Sequence, residues 1–136
     1  MNNLAKVFVF KIATTILFWS TSLILLPPCW LKTLGFPQQD TYMFIRLLGF
    51  AYLSLCVEYW FGLKASLKGK RAMGSILVGI VSNGSACLCL CYFGLIGTWV
   101  SWNSLIQFAL WASVATTFFI TLGLYLFGVR GDGNII

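Results

Sequence analysis

The sequence predicts an all-α integral membrane protein, a four-helix bundle with both termini cytoplasmic. Three observations carry that expectation. Hydrophobic residues make up 60% of the 136 residues and charged ones only 9%, a balance foreign to water-soluble domains. From Ala72 to Val129 no side chain is charged, and one helix over that stretch would be roughly 87 Å long, against a hydrocarbon core of about 30 Å. The stretch must fold back, and Gly97-Thr98-Trp99-Val100-Ser101-Trp102-Asn103-Ser104 reads as the turn. Finally, the basic residues gather in short clusters beside apolar runs, where cations set orientation and face lipid headgroups.

The whole chain, 1–136, reads as a single transmembrane domain. Its first span is expected over about residues 7–26, with Lys11 near its start and Pro27-Pro28 closing it, because neither proline supplies a helical N–H. Lys6 and Lys11 before an apolar run imitate a signal peptide, but no small-x-small cleavage site follows, so the span reads as a retained anchor. Leu26-Pro27-Pro28-Cys29 resembles a lipoprotein cleavage site only faintly, since proline stands beside the cysteine.

A loop from about Pro27 to Asp40 follows, with Asp40 or Thr41 placed to N-cap the second span over about 41–63. Lys64, Lys68, Lys70 and Arg71 then form a basic loop without an acid. The third span covers about 73–96 and the fourth about 103–127, before a polar Arg130-Gly-Asp-Gly-Asn tail that should fray.

Four spans put both termini and the basic loop on one side. Lys6, Lys11, Lys64, Lys68, Lys70, Arg71 and Arg130 lie there, against Lys32 and the near-interface Arg46 opposite, so the positive-inside rule makes the termini cytoplasmic. Trp30, Trp99 and Trp102 then meet at the outer interface, where indole rings favour the headgroup level. The net charge of +6 is accounted for by these clusters, and the basic stripe of a nucleic-acid binder is missing.

The chemistry-bearing residues are few. With no histidine, Cys/His metal sites, Ser-His-Asp triads and Cys-His pairs are excluded. Cys29, Cys56, Cys87, Cys89 and Cys91 contain no CxxC pair, and thiols in apolar segments behave as small hydrophobes. On a helix, Cys87 and Cys91 share a side while Cys89 points elsewhere, so the three sulfurs cannot converge on a metal.

Arg46 lies about one turn inside the second span. It either snorkels to the interface or pairs with Asp40, or it anchors an anionic headgroup or a partner's carboxylate. Glu58 comes roughly 18 Å further along and about 120° round, too far for Arg46, and an ion pair with Lys11 of the first span is its simplest partner; a proton-handling carboxylate is the alternative. Ala51, Ser54, Glu58 and Gly62 form a small and polar stripe that should face other helices. Ser75, Gly79, Asn83 and Ala86 repeat the device on the third span, with Asn83 near mid-membrane either bonding across helices or lining a cavity. Gln107 and the first span's Thr14, Thr15, Ser20, Thr21 and Ser22 are available to either arrangement.

The passage Leu34-Gly-Phe-Pro37 … Asp40-Thr-Tyr-Met-Phe-Ile-Arg46-Leu-Leu-Gly49, with Glu58-Tyr59-Trp60 beyond it, resembles the DoxX-like small four-helix membrane proteins. The resemblance implies a compact bundle with Arg46 as its characteristic position. It also implies relatives that serve as accessory subunits of quinone-linked membrane oxidoreductases or act in chaperone-like roles.

The function expected is therefore that of a non-enzymatic multi-pass protein, an accessory or assembly subunit of a larger complex in a bacterial cytoplasmic membrane. The runner-up is a small transporter or a lipid- or quinone-binding protein, with Asn83, Glu58 and Gln107 lining its cavity. No catalytic residue, metal or obligatory cofactor is predicted. Membrane lipid, a membrane-protein partner or a second copy are the partners expected, and nucleic acid is not.

Overall fold

A computed structural model describes residues 2–36, 42–130 and 134–135. Four helices in it are long and apolar enough to cross a membrane: α1 (Asn3–Leu25), α3 (Met43–Leu67), α4 (Met73–Leu95) and α5 (Ser104–Val129). A short α2 (Pro28–Thr33) lies between the first two. The loop expected from Pro27 to Asp40 thus contains a helix, with Pro28 in its first turn, where the missing N–H costs nothing. Asp40 and Thr41, the expected N-cap of the second span, lie outside the described residues.

The helices outrun their apolar cores at the end bearing the N-terminus. α1 starts four residues before Val7 because Asn2 caps it: its Oδ1 accepts from the Ala5 N–H at 2.8 Å. α3 continues past Leu63 into the basic loop, since Lys64, Ala65, Ser66 and Leu67 are all tolerated in a helix and solvated lysines suit its negative end. At the opposite end α4 closes with Gly97 at φ +76°. There Thr98 N–H reaches Phe93 O at 3.0 Å and Gly97 N–H reaches Gly94 O at 3.1 Å, the αL closure that glycine allows without Cβ strain. Asn103 then caps α5 by accepting from Leu105 N–H at 2.9 Å.

The four long helices form a ring in the order α1, α3, α4, α5, with α4 and α5 packed together most extensively and α1 running along α3. Two ends can be told apart. At the basic end Leu4, Ala5, Phe8, Tyr59, Leu63, Ile76, Ile120 and Leu124, from all four helices, make one core. At the aromatic end there are two smaller cores. One joins Leu23, Leu31 and Ile45, the other Trp99, Ile106 and Leu110, and Trp19 and Phe36 pack against both. Trp99 is thus only 5% exposed and stacks edge-on against Trp111 at 6.0 Å. It is core rather than interface, unlike Trp30, which is 62% exposed.

Between the ends the buried positions are small or polar: Thr15, Ser20, Cys56 and Asn83. α1 also widens here into a π-helical segment, Thr15–Ser20. The outward faces of all four long helices carry large apolar side chains, from Phe18 and Phe44 to Leu88 and Phe119. Finally, β1 (Lys70–Arg71) pairs in parallel with β2 (Asn134–Ile135), so part of the tail expected to fray is tied to the loop between α3 and α4.

Candidate functional site

Arg46 is in the first turn of α3, where its own helix dipole disfavours a cation. The neighbouring element explains it. Pro27 and Pro28 end α1 and leave its last carbonyls without helical donors. The Arg46 guanidinium fills that gap, Nη1 donating to Leu23 O at 2.7 Å and Ile24 O at 2.6 Å, and Nη2 to Leu26 O at 2.5 Å. One turn on, Gly49 lets α1 close in: a Cβ there would come within 2.7 Å of Ile24 Cγ1 and 3.3 Å of its backbone nitrogen. In the passage Arg46-Leu-Leu-Gly49 the first residue caps α1 and the last admits it.

The opposite end of the same helix pair is closed by Asn2. Besides capping α1, its Oδ1 accepts from Ser66 Oγ at 2.8 Å, and its Nδ2 donates to Ser66 O in the last turn of α3 at 2.8 Å. Sequence reasoning missed this latch, although an asparagine directly before an Asn-Leu-Ala-Lys helix start is a recognisable N-cap signal.

The ion pair expected between Lys11 and Glu58 is not formed. The Lys11 ammonium lies over the Tyr59 ring, 5.8 Å from its centroid, while Glu58 Oε1 accepts from Ser75 Oγ of α4 at 2.8 Å. Lys11 does reach the level of Glu58, since Tyr59 is the next residue of α3, but it is turned onto the ring while Glu58 is turned towards α4. Of the α3 stripe, Gly62 is buried and Glu58 half-buried, whereas Ala51 and Ser54 face outward, Ser54 spending its hydroxyl on Phe50 O at 3.0 Å. The α4 stripe does face inward: Ser75, Gly79 and Asn83 are buried.

Asn83, 1% exposed, spends its amide nitrogen mainly within its own helix. Its Nδ2 donates back to Gly79 O at 2.7 Å, and its buried Oδ1 has no partner. The link between α3 and α4 at this depth is made next door, Tyr59 Oη to Ser82 Oγ at 2.6 Å. Ser20 Oγ, in the π-helical part of α1, is likewise buried and unpartnered. Gln107 sits away from all of these, its Nε2 donating to Val100 O at 2.9 Å and Trp102 O at 2.8 Å, so it pins the loop before α5. The predicted residues Arg46, Glu58, Asn83 and Gln107 are therefore four separate places rather than one site.

Compared with protein-family profiles, with curated proteins and with solved structures, the chain gives no match. What its polar groups can do must be read from their partners. Arg46, Gln107 and Asn2 donate to or accept from backbone at helix ends; Glu58 and Tyr59 tie α3 to α4. Among the described residues no group of three His, Cys, Asp or Glu side chains comes together to hold a metal. Cys87 Sγ points at Val114 O at 3.6 Å, while Cys89 is exposed on the outside of α4.

Proposed function

We propose that this chain is a non-enzymatic integral membrane protein that crosses the bilayer four times with both termini cytoplasmic, and that it serves as an accessory or assembly subunit of a larger membrane complex. The observation that carries the reading is how the polar side chains are spent. Arg46, Glu58 and Gln107 each bond within the bundle, and large apolar residues cover its flanks. A chain so built offers its surroundings a lateral apolar surface, the kind through which helices associate in lipid by close packing. The DoxX-like resemblance supports the same role.

Native mass spectrometry after mild detergent extraction tests it: the chain should leave the membrane bound to a partner subunit. Release as a bare monomer, with every partner recovered elsewhere, would sink the accessory role. Orientation has its own measurement. Cys29 is exposed on α2 at the aromatic end, so a membrane-impermeant maleimide should label it on intact cells, and a cysteine introduced by Lys68→Cys should react only after permeabilisation.

A second reading, ligand binding within the bundle, is favoured by one observation, the buried Asn83 Oδ1 without a donor. Such a group costs about 1–3 kcal/mol when left alone. It would accept a bond from a hydroxyl-bearing ligand such as a quinol or a lipid alcohol, and not from the carbonyls of an oxidised quinone.

A further inference from the structure

We propose that the groove between α1 and α5 at the basic end binds one anionic phospholipid, its phosphate on Lys6 and an acyl chain lying over Val7 and Ile120. The groove is open to the outside, offers about 220 Å³ and is lined by Lys6, Val7, Phe10, Phe119 and Ile120. Beside it the two helices approach closely: a Cβ on Gly123 would come within 3.1 Å of Val7 Cγ2, and Ile120 is only 2% exposed. Its walls are Phe10 and Phe119, both more than half exposed, standing out from the bundle on either side.

Lys6 lies one helical turn nearer the end of α1 than Phe10, so the lining passes from a cation at headgroup level to rings at chain level. Among the described residues no carboxylate lines the groove to compete for that cation. A partner helix, about 10–12 Å across with its side chains, could offer this groove only a side chain, whereas an acyl chain can lie along it. A hollow left empty in the bilayer would forfeit dispersion contacts along both rings. The cation at its mouth selects a lipid carrying net negative charge.

The proposal rests on the membrane insertion inferred above, and the experiment separates the two. Membranes holding the full chain are first washed with alkaline carbonate; release of the protein would overturn insertion and this site with it. The retained protein is then placed in vesicles of equal phosphatidylglycerol and phosphatidylcholine, extracted gently and weighed by native mass spectrometry. Wild type should keep phosphatidylglycerol in preference to phosphatidylcholine. Lys6→Gln, at an exposed position that leaves the core untouched, should lower the phosphatidylglycerol adduct about fivefold, the loss of one near-surface cation. Lys6→Arg should restore it, and Lys64→Gln, which removes an equal charge outside the groove, should leave it unchanged. Equal retention of both lipids by wild type, or equal losses in Lys6→Gln and Lys64→Gln, overturns the site while leaving insertion standing.

Discussion

The two ends of α1 are both fastened to α3, by chemically opposite groups. At the basic end the helix presents unpaired N–H groups, and the fastener is an acceptor, the Asn2 carbonyl oxygen, whose own amide nitrogen goes on to cap the last turn of α3 through Ser66 O. At the aromatic end the helix presents unpaired carbonyls, and the fastener is the Arg46 guanidinium. Helix polarity dictates the choice. An antiparallel pair sets the start of one helix beside the finish of the other, so a single side chain can serve both. The ends differ in what surrounds them. At the basic end Asn2 is exposed, so water can replace a lost cap, whereas the aromatic end is packed under Trp19, Leu31 and Phe36.

That difference ranks the consequences of breaking each fastener. Arg46→Leu should be the most damaging, about 3 kcal/mol, because it leaves carbonyls of Leu23, Ile24 and Leu26 without donors in apolar surroundings. Arg46→Lys should recover only part, since an ammonium cannot spread its donors as a planar guanidinium does. Unfolding in mixed detergent micelles measures both, with Leu47→Ala on the exposed face as reference; equal stability of Arg46→Leu and that reference would remove the cap from the account. Asn2→Ala should cost about 1 kcal/mol, the ordinary loss of an N-cap. If it costs as much as Arg46→Leu, solvent does not replace the cap and the contrast between the ends disappears.

The fold was legible because its signals are local. Spans and turn depend on stretches of neighbouring residues, and each apolar stretch forms one helix of membrane-crossing length. The fasteners were legible only in halves. Pro27-Pro28 announces a helix with orphaned carbonyls, and Arg46 announces a costly cation at a similar depth on the next span, but joining the two requires knowing which faces of α1 and α3 meet. The Lys11–Glu58 pairing failed for the same reason. The depths match, but the azimuth that turns Lys11 onto Tyr59 and Glu58 onto Ser75 is set by packing of Phe8 and Gly62, where a Cβ would sit 2.7 Å from the Phe8 ring. A double-mutant cycle sharpens the point. Lys11→Met and Glu58→Gln should combine additively to within about 0.5 kcal/mol, as residues without a shared contact do; rescue of one by the other would restore the ion pair.

The smallest effect is expected in the middle of the bundle, where α1 and α4 are not fastened by a side-chain bond. Asn83→Leu removes one donation to Gly79 O, a carbonyl that already accepts within α4, and also removes a buried oxygen that no donor satisfies. The two terms oppose each other. Losing a hydrogen bond of this kind in lipid costs about 0.6 kcal/mol on average, while abolishing an unsatisfied buried acceptor returns an amount of the same order. The substitution should therefore leave the unfolding midpoint within the scatter of exposed-face controls, in contrast to either end of α1. A loss above about 2 kcal/mol would mean that Asn83 Oδ1 is satisfied in the membrane by a water or a hydroxyl-bearing ligand. The same unfolding measurement in delipidated protein would then distinguish the two, since a bound lipid or quinol is removed with the lipid, and an enclosed water is not.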